Sequence, residues 1–250
     1  MKGIDVSSHN GKIDFAKVKS AGIDFVIIRA GYGKTAGQKD AAFESNYAAA
    51  KAAGMHVGAY WYSYASTVEE SAQEARACLQ VIEGKQFDFP IYFDIEEKKQ
   101  FDKGIHFCSD CVKTFCDMLE MAGYFTGFYT GRYAAEHYFR EDVRKRYAFW
   151  LAEWSEKVYY SGQYGMWQHS SKGKINGISG NVDLDISYTD YPTIIRNKAL
   201  NGFTANAPVE RFHTVAEGET LSAIAGMYGT TVDEIAAKNN MIQTGDVLKV

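Results

Sequence analysis

Short apolar runs alternate with helix-length segments through the first half of the chain, and each helical segment ends on a glycine. No other feature restricts the fold as much. Asp24-Phe25-Val26-Ile27-Ile28-Arg29-Ala30-Gly31 is almost continuously apolar, as expected of a strand buried on both faces. Gly3–Ser8, Met55–Tyr64, Pro90–Glu97 and Tyr124–Thr130 read as strands of the same kind. Between them, Asp14 is placed to N-cap a helix stopped by Gly22, and helical patterns over Ala41–Ala53, Val68–Ile82 and Ile105–Ala122 stop at Gly54, Gly84 and Gly123. Strand–helix alternation of this type predicts a parallel sheet.

Beyond a short helix predicted within Gly131–Phe139, the rhythm changes. Tyr147–Trp154, Gln163–His169 and Asn181–Ser187 read as strands, and a turn-rich loop from Ser170 to Gly180 replaces a helix between the last two. Eight strands with late helices missing predict an α/β fold, a compact variant of the β/α barrel, over residues 1–190. Residues 191–211, with Pro192 and Pro208, read as a linker in which Ile194, Ile195, Leu200 and Phe203 can still pack on the barrel. Residues 212–250 read as a separate βααβ unit, with Thr231 as the N-cap of its second helix.

Several function classes drop out. The net charge of −4 gives no basic footprint for nucleic acid. No run approaches the ~20 apolar residues that span a bilayer. Gly31–Gly37 contains Gly-Lys-Thr, but Ile28 stands where a phosphate loop needs its first glycine. Cys108, Cys111 and Cys116 follow His106 in a zinc-like spacing. They lie on one helix beside Val112, Phe115 and Leu119, and a structural zinc site brings a second ligand pair from elsewhere. They therefore read, with Cys78, as small buried apolar residues, and no metal or cofactor is expected. The N-terminus enters a strand-like pattern directly, without the charged and apolar regions of a secretory signal, so the expectation is synthesis in the cytoplasm. The C-terminal unit carries five acids against two lysines, which excludes charge attraction to an anionic polymer.

The strand Pro90-Ile91-Tyr92-Phe93 runs into Asp94-Ile95-Glu96-Glu97. Residues i and i+2 of a strand share a face, so Asp94 and Glu96 point one way and Glu97 the other. Two carboxyls side by side raise the pKa of one partner and make an acid/base pair; alternatively, acids at a strand end are solvated charges or a helix cap. The aromatic fraction of 14%, including 17 tyrosines, suits a groove for amphipathic ligands such as sugars. Tyr62, Tyr129 and Trp154 fall at or near strand ends, where they line such a groove or pack in the core. Trp61 points away from Tyr62, toward the helices, and His56, His137 and His169 read as structural or surface residues.

Residues 1 to about 188 resemble the family 25 glycoside hydrolases, the lysozyme (N-acetylmuramidase) family common among phage endolysins. The resemblance lies in Gly3-Ile4-Asp5-Val6-Ser7, Phe25–Ala30, Gly58-Ala59-Tyr60-Trp61-Tyr62, Pro90–Glu96, Gly127-Phe128-Tyr129-Thr130, Trp150–Trp154, Met166–Ser171 and Gly180–Asp185, in order and almost all at strand ends. Residues 213–250 resemble a LysM module through His-Thr-Val, Gly-Glu-Thr-Leu-Ser-Ala-Ile-Ala, Tyr-Gly-Thr-Thr-Val-Asp-Glu-Ile, Asn239-Asn240 and Gly-Asp-Val-Leu-Lys-Val. The stretch from Asn240 to Gly245 is shorter than the module usually shows.

The resemblance implies a flattened, irregular TIM-like (β/α)5(β)3 barrel that cleaves the β-1,4 bond between N-acetylmuramic acid and N-acetylglucosamine in peptidoglycan. It implies Glu96 as general acid and Asp94 as its partner. Asp94 acts either as nucleophile or by orienting the substrate's acetamido group, the route we favour. Asp5 and Asp183 match two further acids of the site. Asp185 shares the face of Asp183 and is counted with Tyr62, Tyr129 and Trp154 as a substrate contact. The carboxyl separation, ~5–5.5 Å in retaining and ~6.5–9.5 Å in inverting enzymes, is not set by the sequence. The partners implied are peptidoglycan glycan strands and, for the LysM module, N-acetylglucosamine units; neither nucleic acid nor membrane is expected. The protein would reach the wall after holin-type release. A chitin-directed hydrolase and a catalytically silent glycan-binding protein are the alternatives.

Overall fold

A computed structural model of the protein describes residues 1–204, 212–239 and 247–249. They fall into two compact units, residues 1–204 and 205–250.

The first unit is a closed eight-stranded barrel: β1 (Lys2–Val6), β2 (Phe25–Tyr32), β3 (His56–Tyr62), β4 (Ile91–Asp94), β5 (Thr126–Gly131), β6 (Ala148–Ala152), β7 (Met166–Gly173) and β8 (Val182–Ser187). Adjacent strands from β1 to β7 pair in parallel, whereas β8 runs antiparallel to both β7 and β1. The helices α1 (Phe15–Ser20), α2 (Phe43–Ala52), α3 (Val68–Ile82), α4 (Lys98–Phe101), α5 (Gly104–Met121), α6 (Arg132–His137) and α7 (Glu141–Arg146) all precede β6. The side chain of Asp14 caps α1 by accepting the N–H of Lys17 at 3.1 Å. The absence of helices between β6 and β8 follows the sequence reading. The turn-rich segment starts later than expected, because β7 continues through Ser170 to Gly173.

The apolar runs are buried on both faces. Outward residues such as Val26, Ile28, Trp61, Phe93 and Phe128 pack with the helices. Cys78, Cys108, Cys111 and Cys116 are buried in that same layer. Inward residues Phe25, Phe89, Tyr92, Tyr129 and Trp150 form a second cluster inside the barrel. So many rings fit because glycines face them: a Cβ on Gly3 would lie 2.2 Å from the Phe25 ring, and one on Gly127 2.7 Å from Tyr92.

The expected boundary at residue 190 needs correction. Tyr191–Asn197 forms α8, with Tyr191 and Ile195 in the inner cluster, and the barrel unit runs to Thr204. Asn201 is fully buried at the lower end of the barrel. Its side chain donates to the carbonyls of Phe87 (3.1 Å) and Phe89 (2.8 Å) and accepts the N–H of Phe125 (2.6 Å). Arg196 of α8 pairs with buried Asp88 at 2.5 Å, which also holds Lys51 at 3.1 Å. Within the segment expected as linker, residues 191–204 form a plug under the barrel.

The second unit contains β9 (Phe212–Thr214), α9 (Leu221–Tyr228), α10 (Val232–Lys238) and β10 (Val247–Lys249), with β9 and β10 antiparallel. Val215, Ile224, Ala225 and Ile235 form its small core. Thr231 caps α10 in a reciprocal capping box with Glu234. His213 is held between Glu219 (2.7 Å) and Tyr228 (3.2 Å). The short stretch from Asn240 to Gly245 lies outside the described residues.

Candidate active site

The inward residues near the upper ends of the strands include several carboxyls. Asp5, next to last in β1, lies opposite Asp183, near the start of β8, because the two strands are antiparallel. Asp94 ends β4, between Tyr62 of β3 and Tyr129 of β5 in register. Glu96 has left the strand, but its short segment is pinned. The Ser63 N–H donates to the Asp94 carbonyl, the Ile95 N–H to the Tyr129 carbonyl, and the Thr130 hydroxyl to the Ile95 carbonyl. Buried Gln100 accepts the Glu97 N–H at 3.2 Å and donates to the Ser63 hydroxyl at 2.9 Å.

Asp5, Asp94, Glu96 and Asp183 all line one cleft of about 870 Å³, together with Tyr62, Tyr129 and Trp154. Seven of the eight site residues expected from the sequence thus fall in one space. Asp94 is 5% exposed, with one carboxylate oxygen buried and unpartnered, whereas Glu96 reaches the solvent of the cleft. Burial first, then the charge of Glu96, pushes the Asp94 carboxyl well above the ordinary carboxylate range, and Arg29 opposes this. Glu96 is also raised, by crowding of the cleft walls and by Glu97 and Asp183, with the Tyr62 hydroxyl working against them. Asp183 is raised by burial. Like charges this close cannot all ionise together, so the Asp94–Glu96 pair retains a proton into the range where isolated carboxyls are ionised.

Two expectations change. Asp185 does not touch the cleft. It is 1% exposed beneath the floor, accepts the Trp150 indole N–H at 2.8 Å, and is out of a substrate's reach. Glu97, set aside as pointing elsewhere, accepts the Tyr62 hydroxyl at 2.8 Å and caps α4. Tyr62 is thereby oriented by one acid while it faces another.

Gln168 of β7 belongs to the site without having been singled out. It is 3% exposed; its Oε1 accepts from Tyr129 Oη (3.0 Å) and Trp154 Nε1 (2.9 Å), and its Nε2 donates to Asp5 Oδ2 (2.7 Å). A polar amide at an inward position of an apolar strand is the signal that identifies it. Arg29, on the next wall, is held by Asp40 at 2.6 Å and by the Ser8 hydroxyl at 3.2 Å. Tyr129 packs edge-on to Trp150 at 4.6 Å, so it is both core and lining. Trp154, 63% exposed, forms an open rim. Among the described residues, no group of three or more His, Cys, Asp or Glu side chains is arranged to hold a metal ion.

The arrangement provides a proton donor and a carboxylate on one wall, further acids opposite, and aromatic faces around them. It suits a reaction in which a leaving oxygen is protonated while positive charge develops nearby.

The model of the glycosyl hydrolases family 25 matches residues 4–178, and that of the LysM domain matches residues 213–250. An autolytic lysozyme of Clostridium acetobutylicum is 32% identical over 189 residues, covering 74% of this chain and 55% of that protein. Among solved structures, the CTP1L endolysin superposes with a TM-score of 0.70 at 26% identity, covering 78% of this chain and 69% of that one. The modular autolysin LytC from Streptococcus pneumoniae, determined in complex with a synthetic peptidoglycan ligand, gives 0.65 at 27% identity, covering 75% and 46%. The chain thus spans about half the length of two of these relatives.

Proposed function

The chain belongs to glycosyl hydrolase family 25 and carries a C-terminal LysM domain, and on that premise we propose that it hydrolyses the β-1,4 bond following N-acetylmuramic acid in bacterial peptidoglycan. The observation that carries the reading is the pair Asp94 and Glu96 in one cleft, holding a proton through burial and mutual repulsion. Glu96, at the solvent side, delivers the proton to the leaving oxygen. Asp94, deeper, faces the anomeric carbon, either attacking it or orienting the acetamido group that does. Positive charge developing at that carbon lowers the proton affinity of Asp94 and leaves the proton on Glu96. Asp5 and Asp183 set the field around the pair, and Tyr62, Tyr129 and Trp154 contact the sugars. The LysM domain raises the local concentration of the barrel on the glycan. Similarity to an endolysin supports an endolysin-type role, acting on the wall after release from the cell that makes it.

Clearing of a cell-wall suspension, with identification of the new reducing-end sugar, tests this. Wild type is expected to clear the suspension and expose N-acetylmuramic acid ends, and Glu96→Gln to lose on the order of 10²–10⁴ of the rate, the usual share of general acid catalysis. Undiminished clearing by Glu96→Gln would refute the assignment; new ends from chitin alone would point to a chitin-directed enzyme.

A further inference from the structure

Asp185 is the acid that the cleft leaves unused. It sits two residues further down β8 than Asp183, and β8 runs away from the cleft, so its carboxyl lies below the floor. Its Oδ1 accepts the Trp150 indole N–H at 2.8 Å, and an indole N–H can only donate. Its Oδ2 is buried with no hydrogen-bond partner, and the strand register sets Asp5 diagonally beside it on the same inward face, where the charge of Asp185 acts on it.

Asp5 is fixed from its other side. Gln168 Oε1 receives the Trp154 indole N–H, so the amide has a single possible orientation, with Nε2 donating to Asp5 Oδ2. On the other side, Asp185 Oδ2 is left without a hydrogen bond. A buried, unpartnered carboxyl oxygen beside a second acid is stabilised by a proton held between them.

We propose that Asp185 is a positioning residue for the hydrolysis: it shares one proton with Asp5, and thereby fixes Asp5, Gln168 and the Tyr129–Trp154 wall as one hydrogen-bonded line from the barrel interior to the rim. The catalytic half of this inference rests on the proposed hydrolase function; the proton rests on the geometry. Burial, with Asp183 adding to it, pushes Asp185 up to about 8. The titratable groups facing it are Asp5 on β1, Asp183 on β8 and Tyr92 on β4.

Asp185→Asn in the full chain tests the line. The carboxamide donates to Asp5 and accepts from Trp150, which replaces the proton with one that cannot titrate. The isosteric amide keeps both hydrogen bonds made and leaves no buried group unpaired, so kcat/KM on cell walls at pH 6 is expected within about threefold of wild type. Asp185→Leu strands the indole N–H and the Asp5 oxygen and is expected to lose well over tenfold, with KM rising as the Trp154 wall loosens.

The four tryptophans, Trp61, Trp150, Trp154 and Trp167, all lie in the barrel, so their fluorescence follows its unfolding. A carboxyl whose pKa is higher folded than unfolded contributes stability at low pH that is lost as pH rises toward the folded value. The folding equilibrium constant of wild type relative to Asp185→Asn should therefore fall by up to about tenfold per pH unit between pH 5 and 8. A ratio constant across that range, or an Asn variant as impaired as the Leu variant, overturns the proposal. If wild type itself leaves walls intact, the hydrolase reading fails, while the unfolding series still decides the proton.

Discussion

Replacing Asn201 by alanine separates the stability of the barrel from its chemistry. Asn201 makes three buried side-chain hydrogen bonds, to Phe87, Phe89 and Phe125. Each is worth roughly 1 kcal/mol net, and the buried backbone groups left unpaired add to that, for a loss of about 3–4 kcal/mol. Asn201 also has φ = 56°, in the left-handed region, where alanine is disfavoured by about 1 kcal/mol. The sum is about 4–5 kcal/mol. At ~2–4 °C per kcal/mol for a domain of this size, Tm should drop by roughly 8–20 °C. Tryptophan fluorescence during thermal unfolding reads it directly. Asn201 sits beside the strand starts, at the end of the barrel opposite Asp94 and Glu96, so kcat well below Tm should not change. A Tm shift under about 2 °C would refute the plug as a stabilising element, and a lower kcat at unchanged Tm would refute the separation of the two ends.

Two further outcomes follow from the charges and the domain plan. Asp183 raises the pKa of Glu96, so Asp183→Asn should lower it and move the alkaline limb of the kcat/KM profile to lower pH; a limb that stays in place would exclude Asp183 from the field at Glu96. Removing residues 212–250 should weaken retention on insoluble walls, by the ~10²–10⁴ scale of tethered binding, while leaving turnover of a short soluble glycan unchanged; equal retention of both forms would show that the LysM domain does not anchor this protein.

Strand parity made much of the site legible. Asp5, Asp94, Tyr62, Tyr129 and Asp183 share the inward face, and alternation along a strand reveals that from the sequence. Depth along the barrel is not readable in the same way. Asp183 and Asp185 have the same parity but differ by ~6.8 Å along the strand. That rise separates a cleft wall from a sealed interior. Parity also failed at Glu97, because β4 ends at Asp94 and Glu97 turns to N-cap α4 instead of continuing the pleat. The apolar packing of the plug was read from Ile195, Leu200 and Phe203, but its polar anchoring was missed for a third reason. Asn201 acts through backbone carbonyls 112 and 114 residues away, and a composition of turn and proline residues carries no trace of such contacts.

The reversed direction of β8 has a consequence for divergence among related chains. Because β7 rises to the mouth and β8 descends from it, the two are joined there by residues 174–181, with no helix to repack. Gly177 ties this turn to the start of α1 through the Asp14 N–H at 2.9 Å, while Gly180 faces open space. Insertions near Gly180 can therefore lengthen one bank of the groove without disturbing the layer of helices. Selection for a new polymer length or decoration has at this hairpin a margin that drifts independently of the chemistry beside it.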